Sequence, residues 1–283
     1  MKLKYLIPLF IIALFTITCS DNDDDNTPQI IDETEGLTKV QELTNDTHTL
    51  ELYTVSGNFH TGYNSISIRI KNNSNNTYVE NADFNWIPIM EMPTMSHSCP
   101  FSDPVKTQGK STLYDGYIIY QMTNSDGSGW SLTLNYIING TSYTVTDTIT
   151  VLQSEQKNTS VFTGTDDIRY IVAFVEPTEP IIGINDLMVG VYKMETMMSF
   201  PLVENYTLTL DPRMPDMGNH SSPNNTDLNY NASDTFYHGN LSLTMTGYWK
   251  LNLKLLNSEG DILKGEDVTE ENESSSLYLD LEF

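Results

Sequence analysis

Along most of this chain apolar and polar residues change places at every step. Ser65-Ile66-Ser67-Ile68-Arg69-Ile70 alternates strictly, as do Trp130 to Leu134 and Tyr143 to Val151. The second half repeats the texture in Tyr206 to Leu210, Leu241 to Met245, Trp249 to Leu253 and Leu277 to Leu281. A period of two turns one set of side chains to a core and the other to solvent, which is the pattern of a half-buried β-strand. No stretch carries the 3.6-residue period of an amphipathic helix, so the expectation is an all-β fold.

The same pattern returns once. Tyr114-Asp115-Gly116 and the strand to Met122 match Tyr237-His238-Gly239 and the strand to Met245, and each leads on to a tryptophan, Trp130 or Trp249. Val79-Glu80-Asn81 matches Val203-Glu204-Asn205, and Gly62-Tyr63-Asn64 matches Gly183-Ile184-Asn185. A repeat of about 120 residues is a domain and not a solenoid unit. Several short alternating strands per unit predict two tandem immunoglobulin-like antiparallel β-sandwich domains, over 46–153 and 168–283. The boundary is expected in the polar run from Gln153 to Asp167. Neither copy has the paired cysteines of antibody domains, so only the architecture is inferred.

Before the first repeat the pattern differs. Lys2 and Lys4 precede an apolar run from Leu6 to Phe15, which reads as a signal peptide over 1–18; it is too short for a membrane span, which needs about 20 apolar residues. Cys19 follows at the place where bacterial lipoproteins carry their lipidated cysteine, and the acidic run Asp21 to Asp25 resembles a surface-export signal of outer-membrane lipoproteins. The expected address is the outer membrane, on the cell surface, through a lipid anchor on Cys19. The polar, acidic stretch 19–45 is expected to be a flexible tether. With Cys19 lipidated, Cys99 has no partner in the chain and is a ligand, a free thiol or an intermolecular contact.

Charge narrows the partners. With 38 acidic against 14 basic side chains and a formal net charge of −24, nucleic acid is excluded as an expected partner. Catalytic patterns are missing: there is no Gly-x-Ser-x-Gly and no His-Glu-x-x-His, and Gly109-Lys110-Ser111 lacks the earlier glycine of a phosphate loop. The expectation is a protein that is not an enzyme.

The candidate chemistry lies in Met92-Pro93-Thr94-Met95-Ser96-His97, which nearly returns as Met214-Pro215-Asp216-Met217-Gly218-Asn219-His220. Proline between two methionines three apart suits a β-turn, which sets two thioethers side by side. A histidine just beyond adds an imidazole, and a soft S/S/N set selects Cu(I) over hard cations. A single such word is more often packing plus a turn, since methionine fills gaps in cores; its return in the second half is what favours a metal. Cys99 stands where the second copy has Ser222, so a thiolate is not common to both. Met90, Met122 and Met245 are expected to be core, His48 and His60 surface; Met194, Met197 and Met198 are left as core or an auxiliary methionine surface.

A β-sandwich with Met-Pro-x-Met and a nearby histidine, then a Tyr-x-Gly strand ending in methionine, then a tryptophan strand, resembles the YtkA-like and FixH-like domains of extracytoplasmic copper handling. The resemblance covers most of both halves, and its specific part is short. It implies Met92, Met95 and His97 in the first copy and Met214, Met217 and His220 in the second as ligands of copper, as Cu(I), for delivery, storage or tolerance. A copper transporter or cuproenzyme would be the partner. The family motif runs closer to Met-Pro-x-Met-Gly-His; the first copy has Ser96 for that glycine and the second inserts Asn219. The alternative is a surface-displayed tandem β-sandwich for adhesion or structural spacing, without metal.

Overall fold

The alternating runs are strands. The structure, a computed structural model, describes residues 32–125 and 127–283, and the chain from Glu33 onward is one compact unit. The signal peptide, Cys19 and the acidic run lie outside the described residues. In the first half the strands are β1 (Thr38–Thr44), β2 (His48–Thr54), β3 (Phe59–His60), β4 (Gly62–Asn72), β5 (Asp83–Glu91), β6 (Ser96–His97), β7 (Val105–Lys106), β8 (Tyr114–Tyr120), β9 (Gly129–Ile138), β10 (Thr141–Ile149) and β11 (Val151–Leu152). The second half has β12 (Thr159–Thr163), β13 (Arg169–Glu176), β14 (Gly183–Lys193), β15 (Thr207–Met214), β16 (His220–Ser221), β17 (Leu228–Asn231), β18 (Phe236–Leu243), β19 (Tyr248–Leu256), β20 (Ile262–Lys264) and β21 (Leu277–Glu282). The fold is all-β; among the described residues the one helical piece is the 3-10 turn Pro215–Met217.

Sheet order follows the immunoglobulin plan of four strands against three. In the first half β1-β2-β4-β8-β7 faces β10-β9-β5-β6, with β1 and the short β6 added at the edges. Both sheets feed one core, in which Leu50, Leu52, Ile66, Ile68 and Ile118 meet Trp86, Trp130, Leu132 and Leu134. The second half keeps this order as β12-β13-β14-β18-β17 against β15-β19 with β20 and β21. There β17 pairs with both β18 and β15, so the two layers join into one continuous sheet. Its own core gathers Val172, Leu187, Val189, Leu208, Trp249, Leu251 and Leu279.

Two polar segments belong to the sheets, contrary to expectation. The end of the predicted tether is β1, paired with β2 from Thr38↔Thr54 to Thr44↔Thr49. Only Val40 and Leu43 mark it as apolar; they turn to the core while Lys39 and Glu42 face water, and an edge strand needs no more. Ahead of it, Glu33 accepts hydrogen bonds from the Ser111 and Thr112 N–H groups and the Thr112 hydroxyl. The predicted linker likewise contains β12, paired with β13 along its length.

The duplication extends to side-chain bonds. Tyr114 donates its hydroxyl to Glu80 O at 2.7 Å, and Tyr237 donates to Val203 O at 2.7 Å. Trp130 Nε1 donates to Met122 O, and Trp249 Nε1 donates to Met245 O. Between the halves, Ile119, Ile171, Ala173 and Tyr192 form a third apolar cluster, flanked by Tyr63 and Tyr117. Tyr192 donates its hydroxyl to the Tyr117 hydroxyl at 3.0 Å across this seam.

Candidate metal centre

In each half the methionine word closes a hairpin at the end of a central strand. Strand β5 buries alternate residues, Trp86, Pro88 and Met90, and turns back into β6; Met92 N–H donates to Met95 O at 2.9 Å, so Pro93 and Thr94 form the tip. In the second half β15 turns back into β16 through Pro215–Met217, Gly218 and Asn219. Gly218 and Asn219 both have positive φ, 66° and 59°, a conformation that glycine and asparagine adopt most readily.

Register corrects the match between the two words. Pro88 lies opposite Leu132 and Pro212 opposite Leu251, each two residues past the tryptophan of the partner strand. The structural counterpart of Met214 is therefore Met90, not Met92. Met90 pairs with His97 across its hairpin, and Met214 pairs with His220 across the other. Met90 is fully buried and Met214 is 4% exposed, with its Cε against the backbone of Gly247. The first loop is one residue longer than the second, and Met92 is the surplus thioether; it is half-buried and packs on the first core.

Each hairpin exposes a loop methionine, and each carries a histidine on its returning strand, exposed in the second half and buried in the first. Met95 is 47% exposed and Met217 is 57% exposed, both high for an apolar side chain. His220 is exposed. His97 is buried, 8% exposed, its ring edge-on to Trp130 at 5.8 Å between centroids. Its Nδ1 lies 2.7 Å from Ser98 O, and a carbonyl only accepts, so the proton of the neutral ring sits on Nδ1. The lone pair of Nε2 is thereby left for a ligand, the arrangement by which a backbone carbonyl orients a metal-binding imidazole. Met95 and His97 are thus a thioether and an imidazole nitrogen on one hairpin, and Met92 lies across the turn from Met95.

Cys99 is a fully buried side chain of the first core. Burial pushes its thiol well above the ordinary range, so it is protonated and uncharged at neutral pH, a poor state for a metal ligand. Among the described residues no three His, Cys, Asp or Glu side chains gather where they could hold an ion. His238, the nearest case, has Nδ1 on Asp186 and Nε2 on Asp234, which leaves it no free nitrogen. His48 is buried and not on the surface: its Nδ1 lies within hydrogen-bond distance of the Thr47 and Tyr136 hydroxyls, and burial lowers its pKa. Met122 lies beyond the end of β8, partly exposed, and not in the core as its alternating neighbours suggested.

Met197 and Met198 form the tip of a turn between Thr196 and Ser199 in the second half, 43% and 50% exposed. The carbonyl of Met197 accepts the N–H of Ser98, at 2.8 Å, from the first half. Spacing along the chain gave no sign of this contact, because the two residues are about 100 positions apart and meet only across the seam.

No family model matches the chain, and no curated protein matches it. Among solved structures, one described as FdeC, a broadly conserved Escherichia coli adhesin, aligns over 80% of this chain and 64% of its own at 11% identity. The chain thus spans under two thirds of that protein's chain, and the TM-score is 0.23.

Proposed function

We propose that this is an extracytoplasmic copper-binding protein, not an enzyme, that carries Cu(I) at the hairpin of each half. The observation that supports it is that both hairpins, at the same place in the fold, bury one methionine and expose another beside a histidine: Met95 with His97 and Met217 with His220. A thioether has no proton to lose and forms no disulfide, so it serves where a thiol would be oxidised. Thioether and imidazole together favour Cu(I) over Ca²⁺ or Mg²⁺, which take oxygen ligands. In this reading Met95 and His97 hold the first ion and Met217 and His220 the second, while the buried Met214 anchors its hairpin in the core. Copper is cargo here, delivered to or taken from a transporter or cuproenzyme, and Cys19 is the anchor on the outer membrane.

The test is an anaerobic competition titration of the 33–283 fragment against a chromophoric Cu(I) chelator. Two ions bound per chain are expected; no binding beyond the chelator's own would overturn the reading and favour a metal-free surface module. Loss of membrane association in Cys19→Ala tests the anchor, and unchanged partition would refute it.

A further inference from the structure

The first hairpin does not face open solvent alone. Thr196 and Ser199 exchange backbone hydrogen bonds, at 3.4 and 3.3 Å, and Glu195 N–H also donates to Ser199 O. Met198 N–H donates to the Thr196 hydroxyl. These bonds fix a two-residue turn with Met197 and Met198 at its tip. The turn docks through Met197 O on Ser98 N–H, the residue next to His97. Three large apolar side chains, Met95 just before β6 and Met197 and Met198 on the turn that docks just after it, are substantially exposed.

The docking is held from both sides. Tyr192, two residues ahead of Met194, is buried in the seam between the halves, and Leu202, just past the turn, packs against the same cluster. On the first half, Ile119 of that cluster donates its N–H to Pro100 O, three residues past His97. The charged groups nearby are set apart: Glu195 pairs with Lys193, and Glu91 is exposed on the strand before the hairpin.

Among the described residues the second hairpin receives no such backbone bond. Ser221, the counterpart of Ser98, is exposed, and the contact that hairpin receives is polar, Asn219 Nδ2 to Glu273 O at 3.0 Å.

We propose that the first site is shared between the halves, with a thioether of the Met197–Met198 turn joining Met95 and His97 Nε2 around one Cu(I), while the second site is made by its own hairpin alone. This rests on the copper reading above. It makes the two sites unequal: a tight one, built across the seam, and a weaker one. More thioether donors in a preformed cluster raise Cu(I) affinity because softness matches and less ordering remains to be done on binding. It also makes the seam a part of the metal site, so that loading the first site clamps the halves together.

The experiment is the same chelator competition with Cu(I), run on parent, Met197→Leu/Met198→Leu, Met92→Leu/Met95→Leu and Met217→Leu. Leucine keeps size and apolarity, and both turn residues are exposed, so folding is preserved. The parent should show two steps. Met197→Leu/Met198→Leu should weaken the tight step by about tenfold or more and leave the weak step unchanged, whereas Met217→Leu should do the reverse. A titration of Met197→Leu/Met198→Leu identical to the parent's, with Met92→Leu/Met95→Leu still losing a site, would overturn the shared site and leave the copper reading standing. No Cu(I) binding by the parent would overturn both.

Discussion

Asn64 and Asn185 make the same four hydrogen bonds in the two halves. Asn64 Oδ1 accepts His60 N–H while its Nδ2 donates to His60 O, Gly62 O and Ile118 O. Asn185 Oδ1 accepts Ile181 N–H while its Nδ2 donates to Ile181 O, Gly183 O and Leu241 O. The glycine two residues before each has positive φ, 96° at Gly62 and 131° at Gly183, so the chain turns the same way into β4 and β14. The amide side chain staples that bend to the neighbouring strand, and each half needs its own staple.

Removing either staple should therefore destabilise. Asn64→Ala and Asn185→Ala each strand buried backbone groups and should cost about 1–3 kcal/mol, read as a lower urea midpoint. A loss under about 0.5 kcal/mol in both would mean that water replaces the amide at this bend.

Much of this architecture was legible before any coordinates. Alternation at Ser65–Ile70, Trp130–Leu134 and Trp249–Leu253 marks strands because one face of each is buried, and the repeated Gly-x-Asn and Tyr-x-Gly words mark the duplication because the same bends recur. Strands β1 and β12 do not stand out in the alternation because edge strands bury little and look polar. The match of Met92 to Met214 failed for a different reason: similar words suggested one alignment, while pairing with β9 and β19 fixed another, and only the latter puts Met90 and Met214 in the two cores. The contact of Met197 with Ser98 is tertiary and left no trace in local sequence.

Cys99 should be silent. Because it is fully buried and its thiol is held protonated by burial, it should fail to react with an aromatic disulfide reagent in the native protein and react fully once urea unfolds it. Cys99→Ser should leave Cu(I) binding as in the parent while lowering stability, since a hydroxyl replaces a thiol in an apolar core. Loss of the first Cu(I) site in that variant would make the thiol a ligand after all.

The Glu33 clamp predicts a pH dependence. Burial alone would raise its pKa, but the hydrogen bonds from Thr112 and Ser111, with Arg69 nearby, reverse this and lower it from 4.5 to about 2. A carboxylate depressed in the folded state stabilises fully above its unfolded pKa and loses that contribution as pH falls through the folded one. Glu33→Gln should thus unfold more readily than the parent at pH 7, with the gap closing between about pH 4.5 and 2. A gap that persists unchanged at pH 2 would mean that the carboxylate charge is not what the clamp uses.

Metal preference follows from ligand softness and from where the methionines stand. Met92→Leu/Met95→Leu removes two thioethers from the first hairpin and Met217→Leu removes the exposed one from the second, while Met90 and Met214 stay in their cores. Each change keeps side-chain volume and should cost under about 1.5 kcal/mol of stability. The combined variant keeps His97 and His220, and imidazole alone still suits Cu(II) and Zn²⁺ weakly. It should remain folded, lose most of its Cu(I) affinity and keep any weak binding of Cu(II) or Zn²⁺ that the parent shows. Met214→Leu, made separately, should change Cu(I) affinity far less than Met217→Leu, because the buried thioether supports the hairpin from within the core. Parent-like Cu(I) affinity in the combined variant would show that these exposed methionines serve something other than copper.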